Sequence, residues 1–259
     1  MGRDTVGKTL PFVVFVAALI GVWQAVAMAE VWPSYTLPSP EVVWNTLARN
    51  VENGRIQQAL AVSMQRLAIG YVIALAIGMV IGVLCGVVRI ADRTVGTLVL
   101  GMQSLPSVAW LPLAVLWFGL NDAAIIFVVV MGSLFSIAVS ARSGIQSLPA
   151  IYTRVGQTYG ATRLQMYRHV VLPGMAPSMA QGLKLGWSFG WRSLMAGELL
   201  FAGLGLGQMM TMGRDLNDMG MVIAVMLVIV AVGLVVDRLA FGRLEWWVQD
   251  RWGVGGGRQ

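Results

Sequence analysis

The run MVIAVMLVIVAVGLVV, residues 221–236, contains no charged or hydrogen-bonding side chain. A soluble fold has little use for such a stretch, whereas a bilayer demands about 20 apolar residues for each helix that crosses it. Comparable runs recur at roughly 10–29, 60–88, 97–118, 123–141, 173–200 and 219–240. Of the 259 residues 57% are hydrophobic and 12% charged, against about a quarter charged in soluble domains. The chain is therefore an integral membrane protein. A spanning β-barrel would alternate in polarity over segments of about ten residues, and these runs are apolar on every face. The expected class is all-α, with about six transmembrane helices in a single domain over 1–259.

Charge placement sets the expected orientation. With the N-terminus inside, the cytoplasmic segments hold Arg3, Lys8, Arg89, Arg93, Arg142, Arg154, Arg163, Arg168, Arg238, Arg243, Arg251 and Arg258. The external ones hold only Arg49, Arg55 and Arg214. Basic residues favour cytoplasmic loops, so both termini are placed in the cytoplasm. The net charge of +6 then calls for no nucleic-acid partner. The run at 10–29 reads as a retained span, since no small-residue cleavage site leading into a soluble domain follows it. Cys85 has no second cysteine with which to form a disulfide or a metal cluster. It reads as a packing residue.

Between the first two runs Pro33, Pro38 and Pro40 break regular structure, and SPEVVWNTLARNV then opens as a helix with Ser39 as cap and Pro40 in its first turn. Val42, Val43, Leu47 and Val51 share one face, apart from Glu41, Asn45, Arg49 and Glu52. An amphipathic helix on the outer membrane surface is expected. Glycines recur every fourth residue at Gly78, Gly82 and Gly86 and again at Gly182, Gly186 and Gly190. Such stripes let backbones approach closely, either within one bundle or across a dimer seam.

The most polar continuous stretch is RVGQTYGATRLQMYRHVVLP, 154–173. Together with the residues from 142 it is too long for a simple connector. Gly160 supplies a sharp turn between two helical pieces, and Pro173 marks the entrance of the next span. The loop has the form of a docking device facing the cytoplasm.

The spacing of Gly160, nine residues, Val170, one residue, Leu172 and Pro173 resembles the EAA loop of permease subunits of bacterial ATP-binding-cassette (ABC) importers, E-A-A-x3-G-x9-I-x-L-P. Arg154, Val155 and Gly156 stand where the motif has Glu, Ala and Ala, and Val170 replaces Ile. An ion-pair role for that Glu is thus not carried over. TLPSPEVVW, LPSVAWLPLAVLWFGL, HVVLPGMAPSMAQGLKLGWSFGWRSLMAGELL and GLGLGQMM extend the likeness along most of the chain. They are similar to the permease branch for nitrate, sulfonates, taurine and bicarbonate.

The resemblance implies a type I importer permease with its core at about 60–241 and a coupling loop at about 142–173. A second permease copy, most simply an identical one, would complete the pathway. Two cytosolic ABC ATPase subunits would bind the paired loops, and an external binding protein would deliver a small anionic solute. The place implied is the bacterial cytoplasmic membrane, with lipid as the surrounding partner. ATP and Mg would belong to the ATPase, and this chain would bind no cofactor and catalyse no reaction. Arg154, Tyr159, Gly160, Ala161, Thr162, Leu164, Tyr167, Leu172 and Pro173 are the expected coupling residues.

Charges inside the spans need partners or a cavity. Arg66 and Glu198 count to a similar depth and are expected to pair. Lys184 either lines a path for anions or snorkels to the inner surface, and Arg192 lies nearer mid-span. Pro106 and Pro112 interrupt the third run, and such breaks occur where backbone lines a cavity or is buried in protein. Gln103, Ser104, Ser107, Ser133, Ser136, Ser188 and Arg192 are the candidate pathway residues. His169 has no second ligand nearby, so no metal site is expected. Two other classes stand beside the importer reading: a stand-alone secondary transporter, which needs acids near the midplane, and a membrane-embedded enzyme, which needs a catalytic pair within a span.

Overall fold

The computed structural model describes residues 3–201 and 203–252, and every regular element among them is helical. Arg258 lies outside the described residues, as do the side chains of Arg3, Lys8 and Arg163. By length and composition three helices qualify as membrane spans, and a bent pair makes a fourth if it is one span. Among the described residues the first run contributes the apolar helical stretch Val13–Met28, and the fifth, Ala176–Glu198, carries Lys184, Arg192 and Glu198.

By their internal contacts the residues group into two compact units, Met1–Ala61 with Leu204–Ile229 and Val62–Gly203 with Val230–Gln259. The boundary falls inside two continuous helices, because the N-terminal segments find their contacts on 204–229.

The first unit contains α1 (Arg3–Met28) and α2 (Pro40–Glu52). Trp23 Nε1 donates to Pro38 O at 3.1 Å, satisfying the indole where the chain leaves α1. Ser39 is extended, its Oγ accepts from Val42 N at 3.5 Å, and Pro40 occupies the first turn. Helix α2 packs one side on protein. Val43, Thr46 and Asn50 are buried, while Val42 and Val51 remain 48% and 42% exposed. Gly220 explains the choice: a Cβ there would lie 3.3 Å from Thr46 Oγ1 and 3.4 Å from Val42 Cγ1. The helix thus packs its small and self-satisfied side against protein, with Asn50 Nδ2 donating to Thr46 O at 2.8 Å.

The second unit is organised by three helices, α3 (Arg55–Val87), α6 (Asp122–Gln146) and α9 (Ala176–Glu198). Of the most apolar 18-residue window in each span, 61% is buried for α6, against 28% for α3. The central helix is therefore α6. Lipid gives no hydrophobic drive for helix association, so contact depends on close approach and dispersion. Both glycine stripes provide that approach, and both face α6. A Cβ on Gly78 would sit 2.8 Å from Leu134 O, and one on Gly82 would sit 2.5 Å from Ala138 O. From the other side, one on Gly186 would sit 2.8 Å from Ile137 Cγ1, while Gly182 abuts Ser140 and Gly190 abuts Ser133. Packing within one chain accounts for both stripes, leaving none over for a dimer seam.

Between α3 and α6 run α4 (Arg89–Gln103), which includes a π turn at Asp92–Gly96, and α5 (Ser107–Phe118). Arg142 pairs with Asp92 of that turn, and α6 continues through Arg142 to Gln146. The loop after α6 thus begins at Ser147 rather than at 142. It comprises α7 (Ala150–Thr158) and α8 (Arg163–Met166), then a π turn at Tyr167–Val171 that leads through Pro173 into α9. After α10 (Leu206–Asp215) and α11 (Met219–Val236), a π turn at Asp237–Phe241 leads into α12 (Gly242–Trp252). Lys184 of α9 contacts Asp237 at 3.4 Å and Glu245 at 3.3 Å. Two carboxylates hold it.

Candidate functional site

Proline cannot donate a backbone N–H and restricts the residue before it. At Ser104–Pro106 the chain bends by 103° between α4 and α5. A broken helix is tolerated in a membrane where it lines a cavity, and here a cavity of about 400 Å³ opens at the break. Gln103, Ser104 and Ser107 line it from the break, Met131, Phe135 and Ser136 from α6, and Phe189 and Arg192 from α9.

The cavity gathers five of the seven residues read as pathway candidates. Ser133 and Ser188 are not among its lining. Ser133 is 0% exposed, and its Oγ has no hydrogen-bond partner among the described residues. Ser188 Oγ donates back to Lys184 O at 3.0 Å. The separation is rotational: three residues along a helix fall about 60° short of a full turn, enough to move Ser133 from the cavity onto the seam with α9. Arg192 Nε donates to Ser188 O at 3.2 Å, and its guanidinium carbon lies 4.8 Å from the Phe189 ring centroid.

A second polar cluster ties the ends of two helices to the interior of a third. Arg66 of α3 reaches Glu198, the last residue of α9, at 2.9 Å through Nη1, and Asp122, the first of α6, at 2.8 Å through Nη2. Ser63 Oγ lies 2.8 Å from each oxygen of Glu198. Two carboxylates against one guanidinium leave the cluster with a formal excess negative charge, and Asp122 is favoured by the N-terminus of its own helix. Asp122 and Ser63 escape a sequence reading. Asp122 has the look of a turn residue after the N-cap Asn121, and Ser63 that of a packing serine; its only signal is a position one turn before Arg66.

The loop is built from standard end signals. Helix α7 closes at Tyr159 and Gly160, where φ is +70°, a region open to glycine. Ala161 N donates to Gly156 O at 3.0 Å. Thr162 then caps α8: its N–H donates to Gln165 Oε1 at 2.8 Å, while Gln165 N–H donates to Thr162 Oγ1 at 3.4 Å. This reciprocal capping box adds Gln165 to the residues read from sequence. Gly156, one of the departures from the EAA pattern, has a physical reason here, because Met166 Sδ would lie 2.9 Å from a Cβ at that position. Tyr159 and Leu164 are 87% and 76% exposed, and Ile151, Tyr152 and Leu172 also present apolar surface. Arg154 and Thr162 are exposed as well, with Ala161, Tyr167 and Pro173 half-buried.

A polytopic all-helical chain, broken over a polar cavity and carrying an apolar-tipped helix–turn–helix loop, has the make-up of a transport subunit. Residues 78–241 match the family model described as the binding-protein-dependent transport system inner membrane component, and the chain belongs to that family. It is the permease subunit of an ABC importer, a transport component and not an enzyme. It is 30% identical over 227 residues to a putative ABC transporter permease protein of Methanocaldococcus jannaschii, covering 86% of this chain and 85% of that one. Identity is 28% to the taurine transport system permease protein TauC of Escherichia coli, with 85% and 82% covered. It is 27% to the nitrate import permease protein NrtB of Leptolyngbya laminosa, with 89% and 84% covered. Among solved structures, a chain of the MetNI methionine ABC transporter in an inward-facing conformation shares the fold. That likeness has a TM-score of 0.61 at 22% identity and covers 72% of this chain and 92% of that one.

Proposed function

We propose that two copies of this subunit form the translocation pathway for a small solute of the kind handled by nitrate, sulfonate and taurine permeases. The helix–turn–helix after α6 is the seat of a cytosolic ABC ATPase, one on each copy. An external binding protein delivers the solute, and ATP with Mg is used by the ATPase. The protein sits in a bacterial cytoplasmic membrane with both termini in the cytoplasm.

The observation that carries this reading is the loop tip. Tyr159 and Leu164 are large apolar side chains left exposed outside any membrane-spanning helix, and exposed apolar surface of that kind marks a protein interface. The π turn and Pro173 join the loop to α9 with almost no free chain between. A displacement of the loop would therefore move α9 as a body, and with it Arg192 and Glu198, in the manner of rigid-body switching. Co-purification through a tag on this subunit, with its genomic neighbours expressed, tests the assembly. An ATPase that comes down with the native loop and is lost with Tyr159→Asp supports it; an assembly without any ATPase refutes it.

A further inference from the structure

Four cations lie within the three long helices of the second unit, α3, α6 and α9, and three of them are neutralised, Arg142 by Asp92. Arg66 meets Glu198 and Asp122, and Lys184 meets Asp237 and Glu245. Arg192 has no carboxylate partner among the described residues. Its Nε is fixed by a carbonyl of its own helix and its plane rests near Phe189, which orients the guanidinium while engaging only one of its five N–H donors. The cavity it lines includes no Asp or Glu, and its other polar side chains are Gln103, Ser104, Ser107 and Ser136. Ser104 Oγ already donates to Gly101 O at 2.6 Å, while Gln103, Ser107 and Ser136 carry N–H or O–H donors.

A guanidinium inside a membrane protein without a carboxylate is costly unless water or an anion meets it. Its planar fork fits two oxygens of one oxyanion. We infer that this cavity is an oxyanion subsite: Arg192 pairs with two oxygens of a nitrate, sulfonate or carboxylate group, and Gln103 and Ser107 donate to what remains. The permease itself then reads the charge of the solute, in addition to any selection by a binding protein. The inference rests on the reading of the chain as the pathway subunit.

Uptake of labelled taurine, ethanesulfonate and nitrate by the reconstituted full assembly tests it, with ATP hydrolysis measured in parallel. Arg192→Gln is expected to lower oxyanion uptake at limiting concentration by about tenfold or more, the range of a lost charge-assisted hydrogen bond. Arg192→Lys, which keeps the charge without the fork, is expected to recover part of the loss. Ser107→Asp places a carboxylate in the cavity with Arg192 intact, and the same loss is expected. This second variant decides the matter if Arg192→Gln fails to assemble. Wild-type KM in Arg192→Gln, or in Ser107→Asp where Arg192→Gln does not assemble, overturns the subsite and leaves the importer reading standing. If the wild-type assembly takes up none of the three probes, the oxyanion class fails, and the subsite with it.

Discussion

The guanidinium of Arg66 and the carboxylate of Glu198 meet at 2.9 Å, Nη1 to Oε1, at sites only 7% and 1% exposed. A buried pair of this kind gives little net stability over an apolar substitute, but removing one partner strands a charge. Glu198→Ala or Arg66→Ala is therefore expected to destabilise the purified subunit by about 3–5 kcal/mol. Replacing both residues by leucine is expected to cost clearly less than the sum of the singles. Thermal unfolding in detergent measures all three, and additive losses would show that the two side chains act independently.

The other arm of the cluster behaves differently. The side chain of Asp122 is 67% exposed, so its attraction to Arg66 is screened by solvent. Asp122→Asn is expected to change stability by less than about 1 kcal/mol. The same unfolding assay checks it, and a loss comparable to that of Glu198→Ala would contradict the division of the cluster into a buried and a solvated arm.

Glycine positions divide just as sharply. Gly82 has no room for a methyl group against Ala138 O and Ala141, and overpacking of this sort costs about 1–3 kcal/mol. Gly101, also helical, has open space around it, and alanine there is expected to be neutral or to stabilise by up to about 1 kcal/mol. Comparing the unfolding temperatures of Gly82→Ala and Gly101→Ala tests the claim that the stripe on α3 is closed by α6.

In the loop, Gly160→Ala imposes an L side chain on a φ of +70°, at about 1–2 kcal/mol of local strain. Thr162→Ala removes a capping oxygen worth about 0.5–2 kcal/mol. Each is expected to hasten proteolysis at 158–163 while leaving the unfolding temperature of the spans unchanged. A uniform loss of stability would mean that the turn is part of the core.

How much of this was legible in sequence depends on what constrains each element. Lipid imposes long apolar runs, so helical class and most boundaries are plain, and the 103° break announces itself through Pro106. Its angle does not, because proline permits a bend without fixing its size. Arg66 and Glu198 point to one another because charge in an apolar run needs company. Asp122 gives no such hint at a helix start, where acids are common anyway. Three details are illegible for one reason: the side of α6 that Ser133 takes, the side of α2 that packs on protein, and the extension of α6 past Arg142. Periodicity gives a stripe but not the neighbour that selects it, and the deciding groups, Gly190, Gly220 and Asp92, lie 57, 178 and 50 residues away.

On the proposed function, the helix–turn–helix at 147–173 couples an ATPase to the pathway. The most direct measurement is ATP hydrolysis and solute uptake by the assembly purified through this subunit, comparing the native loop with the double variant Tyr159→Asp, Gly160→Pro. Coupling through the loop predicts that the variant inserts and folds normally yet loses the ATPase, or keeps it with hydrolysis no longer linked to uptake. An ATPase that stays bound and coupled to the altered loop would contradict it.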